Sequence, residues 1–231
     1  MTNAANVSSG RILSEGVAVF RRNWRFVLLA GAFEGVLAFG QRIVDYQRWG
    51  GLWGILLVGL CAVLAEIAVK GAIARIILVR EGIGEADVPA NAGAYLGVSI
   101  FLLVAVPLGI VLFIVPGVVL ALRWCLAANF TLARQMSIRQ ALRASRDGTA
   151  GHRGEIFGAF VVFGLAIYGP ALLLTPLAGG LRSLGSIDPL SALGAIRAVW
   201  SALAGAASLT LTTGLFAAFV GRHRALHEVF A

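Results

Sequence analysis

The chain is short of charge. Only 13% of its 231 residues are Asp, Glu, Lys or Arg, about half the share an ordinary soluble domain carries. A soluble chain of this length could not hide the 59% hydrophobic residues that take their place. Acid is scarcest: 11 Asp and Glu against 19 Lys and Arg leave a net charge of +8. A nucleic-acid binder gathers such an excess on one solvated face. Here the basic residues stand between apolar blocks, so no nucleic acid is expected as a partner and anionic lipid headgroups are. Cysteine is nearly missing. Cys61 and Cys125 both lie in apolar runs; they exclude a disulfide framework, lack metal-ligand spacing and read as small buried hydrophobes. A cleavable signal peptide is not expected either, because MTNAANVSSG is polar and Arg21, Arg22 and Arg25 precede the first apolar run. Ser-His-Asp sets, phosphate-cradling GxxxxGK loops and dinucleotide fingerprints are absent from the sequence. No catalytic residues, metal or cofactor are therefore expected.

What the chain has is long hydrophobic runs. Leu96–Arg134 holds about two membrane-crossing lengths, since a span needs ~20 apolar residues for a ~30 Å hydrocarbon core. Pro116-Gly117 near its middle is a turn signal, so the stretch reads as a hairpin of two spans, 95–114 and 118–134. Four more spans follow from the remaining runs, at 26–45, 52–78, 155–178 and 196–220, the fifth kinked at Gly169-Pro170 and Pro176. Residues 11–25 read as an amphipathic interfacial helix with Leu13, Val17 and Phe20 at helical spacing and Ile12, Gly16 and Trp24 beside them. Residues 137–147 read as a second, a cytoplasmic surface helix. Ser137 and Gln140 form a capping box, Ile138, Ala141, Leu142 and Ser145 make a narrow stripe, and Arg139, Arg143 and Arg146 occupy another face. The expected fold class is thus all-α: a polytopic transmembrane helical bundle, one integral membrane domain over residues 1–231. Residues 1–10 read as a tail, 81–94 and 179–195 as loops, and 221–231 as a short basic tail.

Two features concern how the spans meet. Gly31 and Gly35 form a GxxxG pair, and Gly194, Ala198, Ala202 and Ala206 form a small-residue stripe; both permit close helix approach. Orientation follows from charge. With six spans, fourteen Lys and Arg fall on the side of both termini and four on the other, which places the termini in the cytoplasm of a bacterial inner membrane.

Charges at membrane depth cost a few kcal/mol each and so are candidates for function. Here they are Glu34, Glu66 and Arg123. Glu66 and Lys70 are four apart, the order of a helical ion pair, and Glu34 with Arg123 is a second candidate pair, as a structural latch or as the lining of a polar cavity. The headgroup candidates are Arg21, Arg22, Arg25, Arg139, Arg143 and Arg146. His223 and His227 share a helical face but have no third ligand.

IVPGVVLALRWCLAANFTLARQMSIRQALRASRDGTAGHRGEIFG resembles the membrane-domain family named after glycerophosphoryl diester phosphodiesterases. The matching positions are Pro116, Gly117, Arg123, Ala141, Leu142, Ser145, Thr149, Gly151, Phe157 and Gly158. ILSEGVAVFRRNWRFVLL is similar to the family's opening helix and first span. The chain departs from the pattern at Arg146 and near Asp147-Gly148. The resemblance implies a multi-pass bacterial membrane protein, most members of which have no assigned activity. His152-Arg153-Gly154-Glu155 is similar to the start of the phosphodiesterase site itself, but that site needs a soluble barrel and further acidic ligands. The expected function is a non-enzymatic membrane module that interacts with lipid, with another membrane protein or with a second copy of itself. The alternatives are a small-solute or ion transporter with a polar path near Glu34 and Arg123 and, below it, an immunity-type membrane protein.

Overall fold

Helix accounts for nearly all of the computed structural model, which describes residues 8–47, 51–84, 89–183 and 192–230. Its eight described helices are α1 (Ser9–Gln47), α2 (Gly51–Arg80), α3 (Ala92–Leu112), α4 (Ile114–Trp124), α5 (Ala127–Arg134), α6 (Ile138–Gly148), α7 (Arg153–Ser183) and α8 (Ala192–Phe230). Four stretches are long and apolar enough to cross a membrane: Gly51–Arg80, Ala92–Leu112, Ile114–Arg134 and Ala198–Val220. The expected first span lies inside α1 but is not among them; Glu34, Arg42 and Asp45 dilute its apolar run. The fifth qualifies only as a pair with α6, the two helices being bent by 97°.

These helices keep their apolar surface open. Only 6% of the most apolar part of α2, and of α3, is buried, against 72% for α8. Water would penalise such a surface at roughly 25 cal/mol per Å², so the arrangement suits hydrocarbon as the surrounding medium.

The chain divides into two compact units. The first contains residues up to Asn23, Gly71–Phe160 and the chain from Thr210; the second contains Trp24–Lys70 and Val161–Leu209. In the first, α3 packs on α4 and α5, and α6 packs on α3, α4 and α5. Its core includes Ile12, Val19, Ile77, Leu126, Ile156, Leu215 and Phe216. Gly16 on α1 lies against Gly214 on α8, where a Cβ on Gly214 would come within 2.5 Å of the Gly16 Cα. In the second, the GxxxG pair of α1 meets the small-residue stripe of α8. A Cβ on Gly31 would collide with the Ala202 carbonyl and stand 2.9 Å from the Ala206 Cβ, and one on Gly35 would stand 3.0 Å from both the Ala198 carbonyl and the Ala202 Cβ.

Several expectations need correction. The turn of the hairpin is not at Pro116-Gly117 but at Phe113, whose backbone is extended (φ −154°, ψ 117°). Pro116 sits in the first turn of α4, where its missing N–H costs nothing, and Gly117 is needed because a Cβ there would collide with Ile110. The fourth span is broken at Cys125-Leu126 into α4 and α5. The interfacial helix and the first span meet at Asn23, whose backbone is not helical (φ −122°, ψ 22°), two residues before the expected boundary. Within α1, Ile12, Gly16, Val19 and Asn23 are buried against the chain, and Val17, Phe20 and Trp24 of the expected apolar face stand exposed. Helix α7 runs on to Ser183, past residue 179 where a loop was expected to begin, and α8 runs to Phe230 where a tail was expected. Residues 184–191 of the expected loop, and residues 1–7 of the expected tail, lie outside the described residues.

Candidate functional site: a carboxylate–lysine cluster and a basic helix

The charge cluster forms in the second unit, where α1 carries Gly31, Glu34 and Gly35 on one face. Lys70 of α2 stands between two carboxylates, with its Nζ 2.7 Å from Glu34 Oε2 and 2.7 Å from Glu66 Oε1. The Glu66–Lys70 pair expected from spacing is therefore present. Glu34 has Lys70 as its ion-pair partner, one that the sequence reading did not offer. Gly205 of α8 completes the cluster: a Cβ there would overlap the Glu34 carboxylate where it now lies. Two acids against one base leave a formal charge of −1 on side chains that are 18%, 36% and 22% exposed for Glu34, Glu66 and Lys70. Sequence reading missed the roles of Gly205 and of Lys70 toward Glu34. The signal for Gly205 was its place beside Ala202 and Ala206 in the small-residue stripe.

The basic helix forms in the first unit. Gln140 Oε1 accepts from the Ser137 N–H (3.0 Å) and hydroxyl (2.9 Å), which closes the expected capping box of α6. Ala141, Ser145 and Thr149 are buried, and Arg139, Arg143 and Arg146 are exposed. Ser145 does more than fill space. Its Oγ donates to the Arg123 carbonyl (2.8 Å) and accepts from the Leu126 N–H (3.2 Å). Those groups flank the break between α4 and α5, so one hydroxyl satisfies the backbone on both sides of it. The far end of α5 is held by Arg75 of α2, whose Nη1 donates to the Leu132 carbonyl at 2.5 Å. Asn129 of α5 ties to α8 through the Thr212 carbonyl, 2.9 Å. Arg123 itself is half-buried, and among the described residues its Nε has no hydrogen-bond partner.

A third polar group lies at the kink of α1. Glu81, just past α2, accepts from Arg22 Nε (3.1 Å) and Nη2 (2.6 Å) and from Asn23 Nδ2 (2.6 Å). The hydrogen bond with Glu81 holds the Arg22 guanidinium above its ordinary range. This clamp was not foreseen, because Glu81 lies 59 residues from Arg22. Arg21 and Arg25 are exposed, and Arg25 lies over the Trp24 ring at 5.4 Å. His152 stands edge-on to Phe219, ring centroids 5.7 Å apart. The side chains of His223 and His227 lie outside the described residues. Compared with known proteins, the chain matches no family model, no curated protein and no solved structure.

Proposed function

We propose that the chain is a non-enzymatic, multi-pass module of a bacterial inner membrane, with both termini in the cytoplasm, that uses α6 as a basic platform for anionic lipid headgroups. The observation that carries this reading is the seating of α6. It turns 97° from α7, so α6 lies along the membrane plane if α7 crosses it. Its small side is fixed to the α4–α5 break by Ser145, and its three arginines face outward with no described ion-pair partner. Arginine presents five donors and suits phosphate. Each basic residue near an anionic surface contributes about 1 kcal/mol, so three give roughly a hundredfold preference. The resemblance to the phosphodiesterase-associated membrane family supports the same architecture and implies no activity. The test is lipid retention in nanodiscs of mixed anionic and zwitterionic lipid. The variant with Arg139, Arg143 and Arg146 all changed to Gln loses the anionic preference while its helix content stays. An unchanged preference removes the role.

A second reading is favoured by the Glu34–Lys70–Glu66 cluster. Its unequal charges at membrane depth are what a proton- or cation-coupled solute path uses. Proteoliposomes that carry an ion gradient test it: flux that Glu34→Gln abolishes supports transport, and flux equal to that of empty liposomes dismisses it.

A further inference from the structure

We infer that the α3–α4 hairpin enters the membrane without crossing it, and that its tip at Phe113 ends in hydrocarbon against the acyl chains of the opposite leaflet. The inference rests on the placement of α6 at the headgroup level proposed above. Three observations carry it.

The first is reach. Gly97 of α3 lies against Ile138 of α6, where a Cβ on Gly97 would come 2.6 Å from the Ile138 Cδ1. Leu126, at the start of α5, is held by Ser145 of α6. Both arms of the hairpin thus start at the level of α6. From Leu126 back to Phe113 is 13 residues, at most about 20 Å of helix at ~1.5 Å per residue. Adding about 5 Å from the α6 axis to its packing surface still leaves the tip short of the far side of a ~30 Å core. The arm from Gly97 is 16 residues, about 24 Å of helix, and the shorter arm sets the limit.

The second is composition. Ile100–Leu122 holds 23 consecutive residues without one polar side chain, and the turn lies inside that run. At the tip Val111 is 81% exposed, Phe113 70% and Val115 72%. A turn that emerged into water would expose all of this at a cost and offer no polar group in return.

The third is the backbone. In hydrocarbon each unpaired N–H or C=O costs several kcal/mol, so a loop is excluded but a tight reversal is tolerable. The turn is a single residue. The Phe113 N–H donates to the Gly109 carbonyl (2.9 Å), the Gly117 N–H donates to the Phe113 carbonyl (3.2 Å), and Pro116 has no N–H to leave unpaired. Gly109 and Gly117 bring the arms together, since a Cβ on Gly109 would stand 3.0 Å from the Gly117 Cα.

Two consequences follow. Arg123, read from sequence as a charge at membrane depth, lies at the level of α6, because its carbonyl is bonded to Ser145. Of the six crossings expected from sequence four remain, so the parity, and with it the charge-based orientation, is unchanged.

The test uses the full chain with Cys61→Ala and Cys125→Ser, reconstituted in liposomes. Single cysteines at Phe113, at Val115 as a second tip position, and at Arg143 carry an environment-sensitive fluorophore. Spin-labelled lipids quench from the headgroup, the upper chain or the chain terminus. The expected result is that both tip positions are quenched most by the chain-terminus label and react with no membrane-impermeant thiol reagent from either side. Labelling of Phe113→Cys and Val115→Cys by impermeant reagent from the side opposite the termini overturns the inference. The Arg143→Cys probe reports separately: quenching by the headgroup label is expected, and its absence would sink the surface reading of α6 while the tip measurement still decides the depth.

Discussion

Gly31→Ala and Gly40→Ala make the same chemical change on one helix and should differ in their effect on stability. Alanine is the better helix former by about 1 kcal/mol, and that gain is common to both. At Gly40 the new methyl meets nothing within 4 Å, so the gain is kept. At Gly31 it would collide with the backbone carbonyl of Ala202 and approach the Ala206 Cβ at 2.9 Å. A helix backbone cannot step aside as a flexible side chain can. Overpacking of this kind costs about 1–3 kcal/mol, so the difference between the two variants isolates the steric term. Gly40→Ala should be more stable than the parent, Gly31→Ala less stable than Gly40→Ala by that amount, and Gly31→Leu worse than either. Reversible unfolding in mixed micelles, followed by circular dichroism, measures all three against the parent. If Gly31→Ala proves as stable as Gly40→Ala, then α1 does not approach α8 at this point and the seam has another purpose.

At the kink of α1, Asn23→Ala should cost more than Arg22→Ala although only Arg22 is charged. Asn23 is buried and its loss strands a carboxylate contact, about 1–3 kcal/mol, whereas the Arg22 side chain is 54% exposed and such pairs contribute about 0–1 kcal/mol; the same unfolding assay ranks them. Ser145→Ala should strand the Leu126 N–H and the Arg123 carbonyl together, lower stability by about 1–3 kcal/mol, and raise the rate at which a thiol reagent reaches the neighbouring Cys125, while Ser145→Thr keeps the hydroxyl and recovers part of the loss. Lys70→Met should leave two carboxylates facing each other and cost about 3 kcal/mol, the low end for a broken buried pair because Glu66 is partly open; adding Glu34→Gln and Glu66→Gln to it should restore most of that, and failure to restore it would mean that the cluster is not the source of the loss.

Features set by short spacing were legible before any coordinates. Glu66 and Lys70 at four residues, Ser137 and Gln140 at three, and the alternation of small residues on α1 and α8 each depend only on the geometry of a helix, which every α-helix shares. Features set by which helices become neighbours were not. The contact of Glu34 with Lys70 was not legible because opposite sign says nothing about adjacency, and Lys70 already had a partner four residues away. The hairpin turn was misplaced by three residues because Pro116 can start a helix as readily as interrupt one, and its Gly117 neighbour was needed for contact rather than for turning.

The choice of which face of α1 packs against the chain has a deeper cause. Periodicity arguments take the most apolar face as the buried one, which is sound when water is the alternative. In α1 the bulky Val17, Phe20 and Trp24 stand exposed, and the face that packs is Ile12, Gly16, Val19 and Asn23. When hydrocarbon is the alternative, a large apolar side chain gains little by leaving it, and the helix instead turns inward the face that lets backbones approach and finds partners for its polar groups. Gly16 meets Gly214, and Asn23 meets Glu81. The same logic picks out Gly31, Gly35 and Gly205 in the second unit, where small residues also make room for the carboxylate of Glu34. In this chain the inward face is identified by smallness and by the need to pair a polar atom, and the outward face by bulk.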